Sequence, residues 1–123
     1  MTLLNHEENG QLLDQFFIAV DTIVKPYFDK YFFKRKKFRN RGVVVFEKII
    51  KEEDNISVDY CSYIPYGIPA FRVTLNSPSH FLKKILSEEG ESNEQWRYSD
   101  KDDMENQLKN TIEKLELELG DLL

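Results

Sequence analysis

Between Phe33 and Leu75 the chain repeats one pattern: short stretches of alternating apolar and polar residues, parted by turns of a few residues. Strands joined so closely favour antiparallel pairing, because a parallel neighbour needs a crossover of about a dozen residues or more. Val43-Val44-Val45-Phe46 is β-branched and aromatic, which suits a strand. Asn40-Arg41-Gly42 before it is turn chemistry, so Phe33 to Arg39 is predicted to pair with Val43 to Ile50 as a hairpin. Glu52-Glu53-Asp54-Asn55 supplies the next turn, and Ile56, Val58, Tyr60 and Ile64 then alternate with Ser57, Asp59 and Tyr63. Pro65-Tyr66-Gly67-Ile68-Pro69 breaks that strand, since neither proline can donate to a ladder. Phe71, Val73 and Leu75 mark a fourth strand, completing a four-stranded antiparallel meander.

Helical periods flank the sheet. Leu13, Phe16, Phe17, Val20, Ile23, Val24, Tyr27 and Tyr31 recur at three- and four-residue steps and form one apolar stripe. Asp21 and Lys25 fall mostly on the other face, as an i, i+4 pair. Pro26 has no N–H and opposes the carbonyl of Thr22, so the helix is expected to kink or restart there. Near the end, Met104, Leu108, Ile112, Leu115, Leu119 and Leu122 make an almost heptad seam. Ser99 reads as its N-cap, with Asp100, Asp102 and Asp103 complementing the positive helix end. Ser77-Pro78-Ser79 followed by Phe81, Leu82, Ile85 and Leu86 suggests a further short helix, and Trp96-Arg97-Tyr98 an edge strand.

These elements define an α+β fold: a four-stranded antiparallel meander with the N-terminal and C-terminal helices packed on one face. The 123 residues are one domain's worth, with 1–9 expected to fray and 87–95 to form a mobile acidic loop. The leucine seam is expected to pack on its own sheet, giving a monomer or a weak homodimer.

The ends and the cysteine bear on location. The first residues lack a basic stretch followed by an apolar one, and the longest apolar run, Phe16 to Val20, is far short of the about 20 residues that span a bilayer. The expected compartment is the cytoplasm, with no membrane association. A single cysteine, Cys61, excludes an internal disulfide and reads as a small buried hydrophobe.

Charge is polarised. Lys25 to Lys51 holds ten basic and two acidic residues, a local +8, whereas Glu88 to Leu123 holds twelve acidic and four basic, a local −8. The net charge of −5 argues against a general nucleic-acid binder. The densest cluster, Lys34, Arg35, Lys36, Lys37, Arg39 and Arg41, admits three readings: a solvated edge strand, neutralisation by the acidic C-terminal half, or a nucleic-acid surface with Phe33 and Phe38 for stacking.

Catalytic signatures are missing. There is no P-loop, dinucleotide fingerprint or nucleophile elbow, and His6 and His80 fit no metal-ligand spacing. No cofactor and no metal are expected. A catalytic site would have to be assembled from distant carboxylates, such as Asp59 with Glu47.

Lys25-Pro26-Tyr27, then Phe33-Lys34-Arg35-Lys36, and much later Trp96-Arg97-Tyr98 before an acidic helix start, resemble a family of small bacterial proteins of unknown function. Its members run from a leading helix ending near Lys-Pro into a strand that opens on Gly-Phe-Lys-Arg-Lys, then a sheet, a tryptophan segment and a closing helix. Phe32 stands here where that family usually has glycine. The resemblance implies an α+β fold with no established activity. By analogy, such small, acidic proteins are similar to immunity proteins of bacterial toxin systems.

The expected function is therefore non-enzymatic: a protein-binding domain, immunity-like, that occludes its partner. Tyr63, Tyr66, Trp96 and Tyr98, with Asp100 and Asp102, are the candidate contacts. Nucleic-acid binding through Lys34 to Arg41 is the first alternative, and an enzyme with a non-local carboxylate site the second.

Overall fold

The computed structural model describes residues 6–51, 54–63, 69–77, 82–86 and 95–120. Their order is helix α1 (His6–Ala19), a π-turn (Val20–Val24), helix α2 (Lys25–Lys30), strands β1 (Lys34–Phe38), β2 (Val43–Lys51), β3 (Asp54–Tyr63), β4 (Ala70–Ser77), β5 (Leu82–Leu86) and β6 (Trp96–Arg97), and helix α3 (Lys101–Leu119). α1 thus begins inside the stretch expected to fray. The segment expected as a mobile loop lies outside the described residues, except for the buried Gln95.

The sheet is antiparallel throughout, in the order β1-β2-β3-β4-β5, with β6 also pairing β4. The meander predicted from sequence is its first four strands. β5 corrects the helix predicted over 79–86: Leu82 to Leu86 pair with Ser77 to Val73. A helix of that length forms too few hydrogen bonds to offset nucleation, whereas the free side of β4 offers a ladder at once. β6 takes the other end of the same β4 side, Ala70 opposite Arg97 and Phe71 opposite Trp96.

The register sorts the side chains. Val44, Tyr60 and Val73 lie in one row across β2, β3 and β4, beside Phe46 with Val58 and Leu75. All six join the core. Both helical arms close over this face: the Phe16 ring lies 5.8 Å from that of Phe71, and the Tyr60 hydroxyl lies 2.7 Å from Thr111 Oγ1 on α3. Met104, Leu108, Leu115 and Leu119 are buried there, so the leucine seam covers the chain's own sheet. Thr111, not Ile112, occupies its middle. None of the described helices is long and apolar enough to cross a membrane.

Pro26 acts one turn earlier than expected. The chain opens into a π-turn, in which Lys25 N–H reaches Val20 O, five residues back. Such a turn adds about one residue to the helical count, so every later side chain lags by one position. Phe28 therefore takes the sheet-facing place that the plain period gave to Tyr27: Phe28 is fully buried and Tyr27 only partly. The same shift undoes the expected Asp21–Lys25 pair. Lys25 bonds Asp29 at 2.7 Å, and Asp21 pairs with Arg35 at 3.2 Å.

Candidate binding surface

The corner between α2 and β1 is built from the end of a helix that has no glycine. Phe33 N–H donates to Phe28 O at 3.0 Å, and Phe32 N–H to Asp29 O at 3.1 Å. This pair of bonds is the Schellman closure, which needs its penultimate residue in the left-handed region. Phe32 occupies it, at φ +67°, and it is the only non-glycine residue at positive φ among those described. A bulky side chain there is strained by about 1–2 kcal/mol. Its ring is 84% exposed, more than any other large hydrophobic group described. The strain is offset by the neighbours: the rings of Phe28 and Phe33 meet edge-on at 4.9 Å, and Phe28 stacks on Phe46 at 4.3 Å.

From this corner the chain enters β1, the outermost strand, whose five residues are all exposed. Alternation divides its cations. Arg35 and Lys37 lie on the helix side, where Arg35 pairs with Asp21 and Lys37 Nζ sits 5.0 Å above the Phe17 ring. Lys34, Lys36 and Phe38 lie on the opposite face; Lys36 reaches Glu47 at 4.0 Å, and the Arg41 guanidinium is 5.9 Å from the Phe38 ring. Arg41 is exposed, and the Arg39 side chain is outside the described residues. The lysine-rich edge strand is the arrangement seen. Within this cluster Arg35 pairs with Asp21 and Lys36 with Glu47.

Gly42 closes the β1–β2 hairpin at φ +65°. A Cβ there would stand 3.5 Å from both Leu13 Cδ1 and Ser62 Cβ, so both conformation and space favour glycine.

The expected protein contacts are scattered. Trp96 and Tyr98 are 1% and 4% exposed, and both pack against Phe71. This corrects their assignment as surface anchors: pairing of β6 with β4 turns Trp96 to the core, and burial pushes the Tyr98 phenol up to about 12. Asp100 and Asp102 are exposed at the start of α3. Asp100, not Ser99, is the N-cap: its Oδ1 accepts from Asp103 N–H at 2.8 Å, while Ser99 N–H donates to Asp103 Oδ2 at 2.8 Å. Tyr63 ends β3 with its side chain outside the described residues, and Tyr66 and His80 lie outside them altogether.

The face of the sheet away from the helices carries Glu47, Asp59, Cys61 and Arg72, placed by register on adjacent strands. Burial first, and Glu47 second, hold the Asp59 carboxyl above the usual carboxylate range. Burial and Asp59 push the Cys61 thiol up, partly countered by Arg72 opposite. The two carboxylates named from sequence are thus neighbours. Among the described residues no cluster of three His, Cys, Asp or Glu could hold a metal ion.

Phe32 was not among the residues expected to make contact. Its signal in the sequence was a bulky aromatic after a short helix ending in Lys30, where a glycine would ordinarily end it. The chain matches no protein-family model, no curated protein and no solved structure.

Proposed function

We propose that this chain is a protein-binding domain that acts by covering a surface of its partner, in the manner of immunity proteins that occlude bacterial toxins, and that it carries out no turnover of its own. It works in the cytoplasm, and its family kinship is with the small bacterial proteins that share its Lys-Pro and Phe-Lys-Arg-Lys segments. The observation that carries this reading is Phe32. A glycine would hold the same corner at lower energy, yet the chain keeps there a phenylalanine with 84% of its surface exposed. Strain maintained beside an exposed aromatic group is a mark of a contact residue.

The test is co-expression with toxin candidates encoded beside it, followed by recovery of the complex. Wild-type protein is expected to hold a partner and Phe32→Gly to lose it while folding normally. Recovery of no partner under several conditions, or equal recovery by both forms, overturns the reading.

A second reading has its own support: Lys34 and Lys36 lie between Phe32 and Phe38, cations interleaved with exposed aromatics, as single-stranded nucleic acid requires. Binding to mixed DNA and RNA that weakens steeply with salt favours it; a weak, salt-insensitive response removes it.

A further inference from the structure

We propose that the open edge of β1 accepts an acidic, extended segment of the partner protein as an added strand, with Phe32 at the end of that edge nearest α2; this rests on the protein-binding reading above. The backbone supplies the first half of the case. Ser62 N–H donates to Gly42 O at 2.8 Å, and Gly42 continues the register in which Val43 faces Cys61. The Gly42 carbonyl therefore points to β3. Across the trans peptide the Val43 N–H points the other way, to β1, and the odd-numbered residues of β2 repeat that direction. Their partners on β1 are Lys34, Lys36 and Phe38. The backbone N–H and C=O groups of Arg35 and Lys37 consequently face the open edge, where no described strand pairs with them. That is the template for strand addition.

Charge supplies the second half. A second copy of β1 laid antiparallel on this edge would set lysine and arginine against lysine and arginine, which disfavours self-pairing. A strand bearing Asp or Glu reverses the sign of the same contacts on both faces: Lys34 and Lys36 on one, Arg35 and Lys37 on the other. The edge thus rejects its own kind and selects an anionic partner. Such a strand, running past β1 toward α2, meets the Phe32 corner.

The experiment uses the full chain and a fluorescein-labelled peptide of alternating Val and Glu, monitored by anisotropy at low and high salt, with hydrogen exchange of the Arg35 and Lys37 amides. Alternating Val and Lys is the control peptide, and oligo-dT the nucleic-acid arm. Lys37→Pro removes one outward donor at a position where an edge strand tolerates proline. Lys34→Gln with Lys36→Gln leaves the backbone untouched and guards against a folding defect. Supporting results are salt-sensitive binding of the acidic peptide, about tenfold weaker for Lys37→Pro, weaker for the double variant, and slowed exchange at both amides. No binding, equal binding by Lys37→Pro, or binding of oligo-dT in place of the peptide overturns the proposal. Cross-linking to the co-expressed partner separates the two levels. A complex lost by Phe32→Gly but kept by Lys37→Pro removes strand addition and keeps the protein-binding reading, whereas no complex with any form removes both.

Discussion

Phe33 is tied to Phe28 twice: its N–H donates to the Phe28 carbonyl at 3.0 Å, and the two rings meet edge-on with centroids 4.9 Å apart. Phe32, just before it, is tied only through its backbone, its N–H donating to the Asp29 carbonyl at 3.1 Å, while its side chain is exposed. Phe32 is held at φ +67° because its neighbours are fixed on both sides.

Phe32→Gly should therefore stabilise the chain by about 0.5–1 kcal/mol, the relief of left-handed strain less the added freedom of the unfolded state. Urea denaturation checks it, with a higher midpoint and unchanged slope as the expected result.

Phe28→Ala should cost about 3–5 kcal/mol, since it empties a fully buried site touching Phe33 and Phe46. The loss is expected to carry the corner with it. Hydrogen exchange at Phe32 and Phe33 would speed up ahead of the central strands.

Thr111 and Tyr60 give an asymmetric pair. Thr111 Oγ1 donates to Leu108 O at 2.6 Å, so its proton is committed and the Tyr60 hydroxyl must donate to Thr111 at 2.7 Å. Burial holds that phenol far above its ordinary range, so it stays protonated at working pH. Tyr60→Phe leaves Thr111 still bonded and should cost about 1 kcal/mol, while Thr111→Val leaves a buried phenol without its acceptor and should cost about 1–3 kcal/mol. Comparing the two denaturation curves decides the direction.

Asp59 sets a pH dependence. Its carboxyl is raised by burial and by Glu47, so the folded chain holds that proton more tightly than the unfolded chain does. The ionised form opposes folding. This contribution makes stability fall as pH rises from the ordinary carboxylate value through the raised one, and then level off. Asp59→Asn should flatten that limb and raise the melting temperature at neutral pH, as thermal scans across the acid range would record. It should also speed alkylation of Cys61, whose thiol loses a charge that opposes ionisation.

The sheet was legible because alternation and turn residues report the same thing at each hairpin. Asn40 to Gly42 and the valine run needed no tertiary context. The helices' position on one face was also written in their stripes. What escaped the sequence depended on contacts made elsewhere. Leu82 to Leu86 carry a pattern that serves helix or strand, and the unfilled side of β4 decides between them. Trp96 and Tyr98 look alike whether anchors or core, until pairing with β4 turns Trp96 inward. The corner was half visible: a missing glycine was noticeable, but the left-handed angle of Phe32 appears only with the bonds to Phe28 and Asp29.

The π-turn before Pro26 holds one residue more than a plain helix would need. Deleting one residue between Val20 and Val24 would restore an ordinary spiral and keep α1 and α2 on the same face, whereas inserting one would swing α1 by about 100° around the axis relative to α2. With the insertion, Phe16 and Phe17 would leave the sheet just as Phe28 kept its place, or the reverse. The molecule should therefore tolerate the loss of one residue in this turn far better than the gain of one.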